Sequence, residues 1–96
     1  MTDARTIGPE TLVRRSEEPV AVEVDRTVVM MSVEKGMYYG LEGPGPRIWS
    51  LLDQARTPRE LRDTLVEEFD VDPEQCLRDV CNFLEDMLKA DLVHLE

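Results

Sequence analysis

Histidine occurs once in this 96-residue chain and cysteine twice, and basic residues are outnumbered nearly two to one by acidic ones. A single histidine, His94, close to a chain end expected to be disordered, leaves no base for nucleophilic catalysis. No serine sits in a nucleophile elbow either. Two cysteines are too few for a zinc site, and no second Cys or His pair supplies the missing ligands. Cys76 and Cys81 stand five apart in what reads as one helix. Their side chains diverge by roughly 140° and cannot bridge, so both read as small core hydrophobes. No apolar run approaches the ~18 residues of a membrane span. The opening MTDARTIGPE has neither the basic start nor the apolar stretch of a signal peptide. The expected setting is cytoplasmic, with residues 1–10 a flexible tail and 11–96 one domain.

Lys and Arg number 11 against 21 Asp and Glu, a net charge of −10. The imbalance is uneven: residues 1–56 hold 7 basic against 9 acidic side chains, residues 57–96 only 4 against 12. Nucleic-acid binding rests on cations that neutralise phosphates, and the C-terminal part would repel them. The carboxylates are scattered along solvated helix faces rather than gathered as an acid–base pair. GLEGPGPR has glycines but no strand–GxGxxG–helix pattern and no phosphate-loop lysine. The sequence points to no catalytic residue, no metal and no cofactor.

What is present reads as strands and then helices. TLVRRSEEP (11–19) fits an edge strand or an ordered arm. VAVEV (20–24) alternates as a half-buried strand, and Asp25-Arg26 turns into TVVMMSV (27–33). Glu34-Lys35-Gly36 fits a hairpin loop in which Gly36 takes positive φ, and MYYGL (37–41) returns. GPGP (43–46) stops the sheet and starts a helix, because proline cannot donate to a ladder but is tolerated in a first helical turn. PRIWSLLDQ then places Ile48, Leu51 and Leu52 on one side, with Trp49 beside them. TPRE (57–60) is a capping box ahead of Leu61, Leu65 and Phe69, and DPEQ (72–75) repeats the device ahead of a helix from Pro73 to about Ala90.

Around that last helix the apolar residues, from Phe83 through Cys76, Met87, Val80, Leu84, Leu77 and Leu88 to Cys81, span an arc of about 160°. A core-facing helix needs roughly 100°. Either the helix lies centrally and packs on both neighbours, or Leu77, Cys81, Leu84 and Leu88 face the core while Val80, Phe83 and Met87 line a groove. Three antiparallel strands followed by three helices predict a winged-helix-like α+β domain. DNA binding is a usual task of that architecture, but the exposed face of the last helix is net acidic.

Binding through surface remains. Strand 37–41 comes last in the meander, which leaves one edge open unless segment 11–19 covers it. Between Lys35 and Glu42 that edge carries no charge, and no proline precedes Pro44, so nothing blunts it. A peptide can add there as a fourth strand. Alternation puts Met37, Tyr39 and Leu41 on one face and Tyr38 with Gly40 on the other.

The run GMYYGLEGPGPRIWSLL, then TPRELRDTLVEEFDVDPEQCLRDVCNFLEDML, resembles the PqqD-like family of peptide-recognition domains over roughly residues 19–93. The hallmark appears as Tyr39, Leu41-Glu42, Gly43 to Pro46 and Ile48-Trp49. Glu42 stands where the family usually has asparagine, and Pro44 and Pro46 are additional. Within the family, the discrete proteins of lasso-peptide gene clusters look most similar. The resemblance implies a non-enzymatic adaptor that binds the leader of a ribosomally made precursor peptide. It would recruit that precursor for a transglutaminase-like leader peptidase, after which a cyclase closes the ring. It also implies a leader strand antiparallel to Met37, Tyr38, Tyr39, Gly40 and Leu41, with anchors pressed against Val80, Phe83, Leu84 and Met87. The acidic C-terminal half would favour a basic leader by raising its association rate. The alternatives are a PqqD-type adaptor serving a radical enzyme and an acidic winged-helix transcription regulator; an interaction subunit without a peptide ligand is a further one.

Overall fold

A computed structural model describes residues 6–17, 19–25, 27–32 and 35–96. The predicted meander forms: β2 (Val20–Val24), β3 (Thr27–Ser32) and β4 (Met37–Leu41) make an antiparallel sheet in that order, after a first strand, β1 (Val13–Arg15). Asp25, at φ 48°, begins the β2–β3 turn, and Gly36, at φ 62°, closes the β3–β4 loop in the left-handed region that glycine tolerates best. Arg26, Val33 and Glu34, included in the predicted turn, strand and loop, lie outside the described residues.

Register decides which face of each strand is inside. Val28, Met30 and Ser32 of β3 are buried, and opposite them on β4 stand Leu41, Tyr39 and Met37. On β2 the inward positions are therefore Ala21 and Glu23, paired with Met30 and Val28. This corrects the reading of VAVEV as half-buried: Val20, Val22 and Val24 face away from the helices and are 52–55% exposed. The alternation is real, but it places the valines in solvent, because β2 is the strand farthest from β4 and its partner β3 already fills the core.

The helices start where their caps predict. α1 (Gly45–Leu51) follows Pro44 and buries Ile48 and Trp49, with Leu52 just beyond its end. α2 (Pro58–Glu68) opens on a complete capping box, with the Glu60 amide donating to Thr57 Oγ1 and the Thr57 amide to Glu60 Oε1. At α3 (Pro73–Lys89) only half of the device forms. The Gln75 amide donates to Asp72 Oδ2, but the Gln75 side chain turns to Asp79 and Arg78. Arg47 of α1 forks onto Glu68 at the end of α2, tying the two helices together.

Two terminal segments depart from expectation. The chain end is ordered: β5 (Val93–Leu95) pairs antiparallel with β1, and His94 stands opposite Arg14. Segment 11–19 therefore does not cover β4. Its Val13, fully buried, exchanges backbone bonds with Arg56, while Arg15 donates to the Leu52 carbonyl and stacks its guanidinium over Trp49 at 5.6 Å from the ring centre. Of the expected flexible tail, residues 1–5 lie outside the described residues, but 6–10 are seated on the helices. Ile7 is 3% exposed, its amide donates to Glu85 Oε2 on α3, and the Pro9 carbonyl accepts from the Arg59 amide.

If this arm is part of the core, Ile7→Ala should lower the unfolding free energy by about 2 kcal/mol or more, the range of a large-to-small core change. A urea titration indistinguishable from that of the parent protein would mean that the arm is detached in solution.

Candidate functional site

α3 runs opposite to β4, with contacts at both ends of the strand, and past Leu41 a groove opens between α3 and the β4–α1 connection. At one end, Lys35 in the β3–β4 loop bonds Asp91 just past α3, at 2.9 Å. At the other, Gly43 (φ 60°) and Pro44 turn the chain from β4 into α1. Gly45 matters there for space: a β-carbon on it would lie 3.3 Å from Leu41 Cβ and 3.6 Å from Phe83 Cζ. The missing side chain is what lets α1 start against the Phe83 ring while Leu41 closes the sheet beneath it.

The candidate residues divide by depth. On β4, Leu41 is buried, Tyr39 is half-buried against the core with its hydroxyl reaching Met37 Sδ at 3.7 Å, and Met37 and Gly40 are exposed. Tyr38, at 72% exposure, points to the outer face of the sheet opposite Met31. That outer face also carries Val20, Val22, Val24 and Val29 and is apolar apart from Thr27. Among the described residues no strand pairs with the free edge of β4.

On α3 the predicted division of the apolar arc holds for Leu84 and Phe83 but not for Val80 and Met87. Val80, Leu84 and Met87, near the middle of the arc, are buried, whereas Leu77, Cys81 and Leu88 on one flank and Phe83 on the other are half-buried. The centre of a wide arc goes to the core because burial there removes the most apolar surface from water. Leu84, with no exposed surface, is therefore a core residue and not a groove contact, and Met87 at 4% is nearly so. Phe83 remains as the α3 side chain that is packed on the core and still open to the groove.

Sequence reasoning missed a cavity at the Phe83 end, of about 430 Å³. Its walls include Ile48, Leu65, Phe69, Val71, Val80 and Phe83. Phe69 shares helical spacing with Leu61 and Leu65, but α2 ends at Glu68 and Phe69 adopts an extended backbone, so its ring flanks the cavity instead of entering the core. The available signal was Phe69 and Val71, two large apolar residues alternating with Asp70 and Asp72 in a connection that should be polar. Cys76 also lines the cavity; both cysteines are free. Burial pushes both thiols up, reinforced by Asp79 at Cys76 and by Glu85 at Cys81.

The family model described as coenzyme PQQ synthesis protein D (PqqD) matches residues 27–93. The chain belongs to the PqqD family. Among solved structures, this PqqD-family domain is similar to TbiB1 in complex with the TbiA(beta) leader peptide. Identity is 33%, 84% of this chain and 94% of that one are covered, and the TM-score is 0.77. It shares its fold with lasso peptide synthetase B1 complexed with the leader peptide, at 18% identity, 85% and 96% coverage and a TM-score of 0.75. No curated protein matches. Three antiparallel strands followed by three helices are thus the PqqD-like α+β fold, with the β1–β5 ribbon in addition. Among the described residues no helix is long and apolar enough to cross a membrane, and no group of three His, Cys, Asp or Glu side chains converges as a metal site.

With raised thiol pKa values, both cysteines should react slowly with iodoacetamide near neutral pH, since the thiolate is the nucleophile. Labelling followed by mass spectrometry should accelerate as pH passes above the ordinary thiol range. Rapid labelling of Cys76 at neutral pH would show instead that the cavity wall opens to solvent.

Proposed function

We propose that this PqqD-family domain is a leader-peptide recognition element without catalysis of its own, which holds a ribosomally made precursor for a leader peptidase in lasso-peptide biosynthesis. The observation that carries this reading is the free, uncharged β4 edge, which leads through Glu42 into an apolar cavity. The 33% identity with TbiB1, a protein solved with a leader peptide, supports it. The leader adds antiparallel to Met37–Leu41, its backbone completing hydrogen bonds that the edge leaves open, while its side chains enter the groove beside Tyr39 and Phe83.

The magnitudes are sufficient. Each net backbone hydrogen bond contributes about 0.5–1.5 kcal/mol and each buried apolar anchor about 1.5–3 kcal/mol. Micromolar affinity needs about 8 kcal/mol after the ordering of the peptide, so a few bonds and two or three anchors reach it. Catalysis is then left to the enzyme: a precursor tethered by its leader presents its cleavage site at a raised effective concentration. The PqqD match also favours a second reading, an adaptor for a radical enzyme. The neighbouring genes separate the two: a transglutaminase-like peptidase and an asparagine-synthetase-like cyclase accompany the first, a radical enzyme the second.

Fluorescence polarisation with the labelled leader of the precursor encoded beside this gene tests the site. Phe83→Asp should weaken binding by about tenfold or more, the loss of one buried anchor, with the circular dichroism spectrum retained. Leu84→Asp and Met87→Asp should unfold the domain instead, as charges placed in its core. Unchanged affinity in folded Phe83→Asp would remove the groove from the reading.

A further inference from the structure

The cavity beyond Leu41 is apolar inside and carries charge of one sign at its rim. Glu42 reaches it from the β4–α1 connection, Asp72 from the N-cap of α3 and Asp79 from the next turns of that helix. No Lys or Arg is among the residues that line it. Among the described residues none of the three carboxylates forms an ion pair, while Arg47 is engaged by Glu68, Arg62 by Asp63, and Arg78 by the Gln75 side chain. Asp72 Oδ2 accepts the Gln75 amide and Asp79 Oδ1 the Gln75 side-chain amide, so each carboxylate keeps acceptor capacity. Asp72 is partly neutralised by the positive end of the α3 dipole, which leaves Glu42 and Asp79 as the stronger attractors of a cation.

We propose that the cavity selects an apolar side chain of the bound peptide flanked by a lysine or arginine, whose cation is held by Glu42 and Asp79. This rests on the peptide-binding reading above and adds a specificity rule to it. Continuity locates the residue. A peptide strand antiparallel to β4 carries its N-terminal continuation past Leu41, and Glu42 is the next residue of this chain, so the cation lies on the N-terminal side of the added strand. A Lys or Arg stem can lie along the apolar wall while its head stays at the wet rim. Charge complementarity of this kind discriminates among peptides as well as speeding their encounter. It is a local effect, separable from the diffuse field of a chain whose net charge is −10.

A phage-displayed library of random linear peptides, panned on the full chain, provides the test. Binders that are lost on folded Phe83→Ser or Phe69→Ser protein define groove ligands. These should be enriched in Lys or Arg next to an apolar residue, N-terminal to the pairing segment. Measured by fluorescence polarisation, such peptides should bind Glu42→Gln/Asp79→Asn protein about three- to tenfold more weakly, as expected for exposed ion pairs. The charge-matched control Asp53→Asn/Glu67→Gln, at exposed positions away from the cavity, should bind them unchanged. Equal losses in both double variants, or groove ligands with no basic preference, would overturn the rim assignment and leave the peptide site standing. Absence of any Phe83- or Phe69-dependent binder would overturn both.

Discussion

The architecture depends on burying one stripe of α3. Cys76, Val80, Leu84 and Met87 occupy its centre and are removed from water together with Leu61 and Leu65 of α2 and Ile48 and Leu52 of the α1 region. At about 1.5–3 kcal/mol for each large side chain, burying this stripe is a large contribution to stability. It sets the rotation of α3, and the rotation sets what is left over. Phe83 sits on the edge of the buried arc, so it packs on the core with one side and faces the groove with the other. The opposite edge, near Glu85, receives the N-terminal arm through the Ile7 amide.

The groove follows from two refusals of contact. β4 pairs with β3 on one side and with nothing described on the other, so its outer backbone groups have no strand partner among the described residues. The helices do not close over it, because α1 must begin at Gly45, against Leu41 and Phe83, and α2 must stop at Glu68. The space between them becomes the cavity. An apolar cavity beside an unpaired strand edge would ordinarily be a liability. Here it lies at the junction of sheet and helices, in a fold shared with two solved structures that each hold a leader peptide.

Much of this was legible in the residues. The capping box at Thr57, the N-cap at Asp72, the proline–glycine turn into α1, the glycine at φ 62° in the β3–β4 loop and the opposite faces of Tyr38 and Tyr39 follow from local stereochemistry. The edge of β4 was also visible, as a stretch without charge or proline. The outward direction of the β2 valines was not, since alternation states that two faces differ but not which is inside. Nor were the seating of Ile7, the pairing of β1 with β5, and the burial of Leu84 and Met87, because each depends on a partner far away in sequence.

The sequence by itself thus determined the meander, the three helices and their starts, the acidic balance and which strand edge carries no charge. These are properties of neighbours along the chain, governed by φ/ψ preference, hydrogen-bond donors and side-chain period. Only the tertiary structure decided which flank of the α3 arc borders the groove, that Phe69 leaves the core for the cavity wall, and that Glu42 and Asp79 come to share one rim. Those outcomes are set by which apolar surfaces exclude water most completely when all elements compete for the same small core, and no local pattern records the result of that competition.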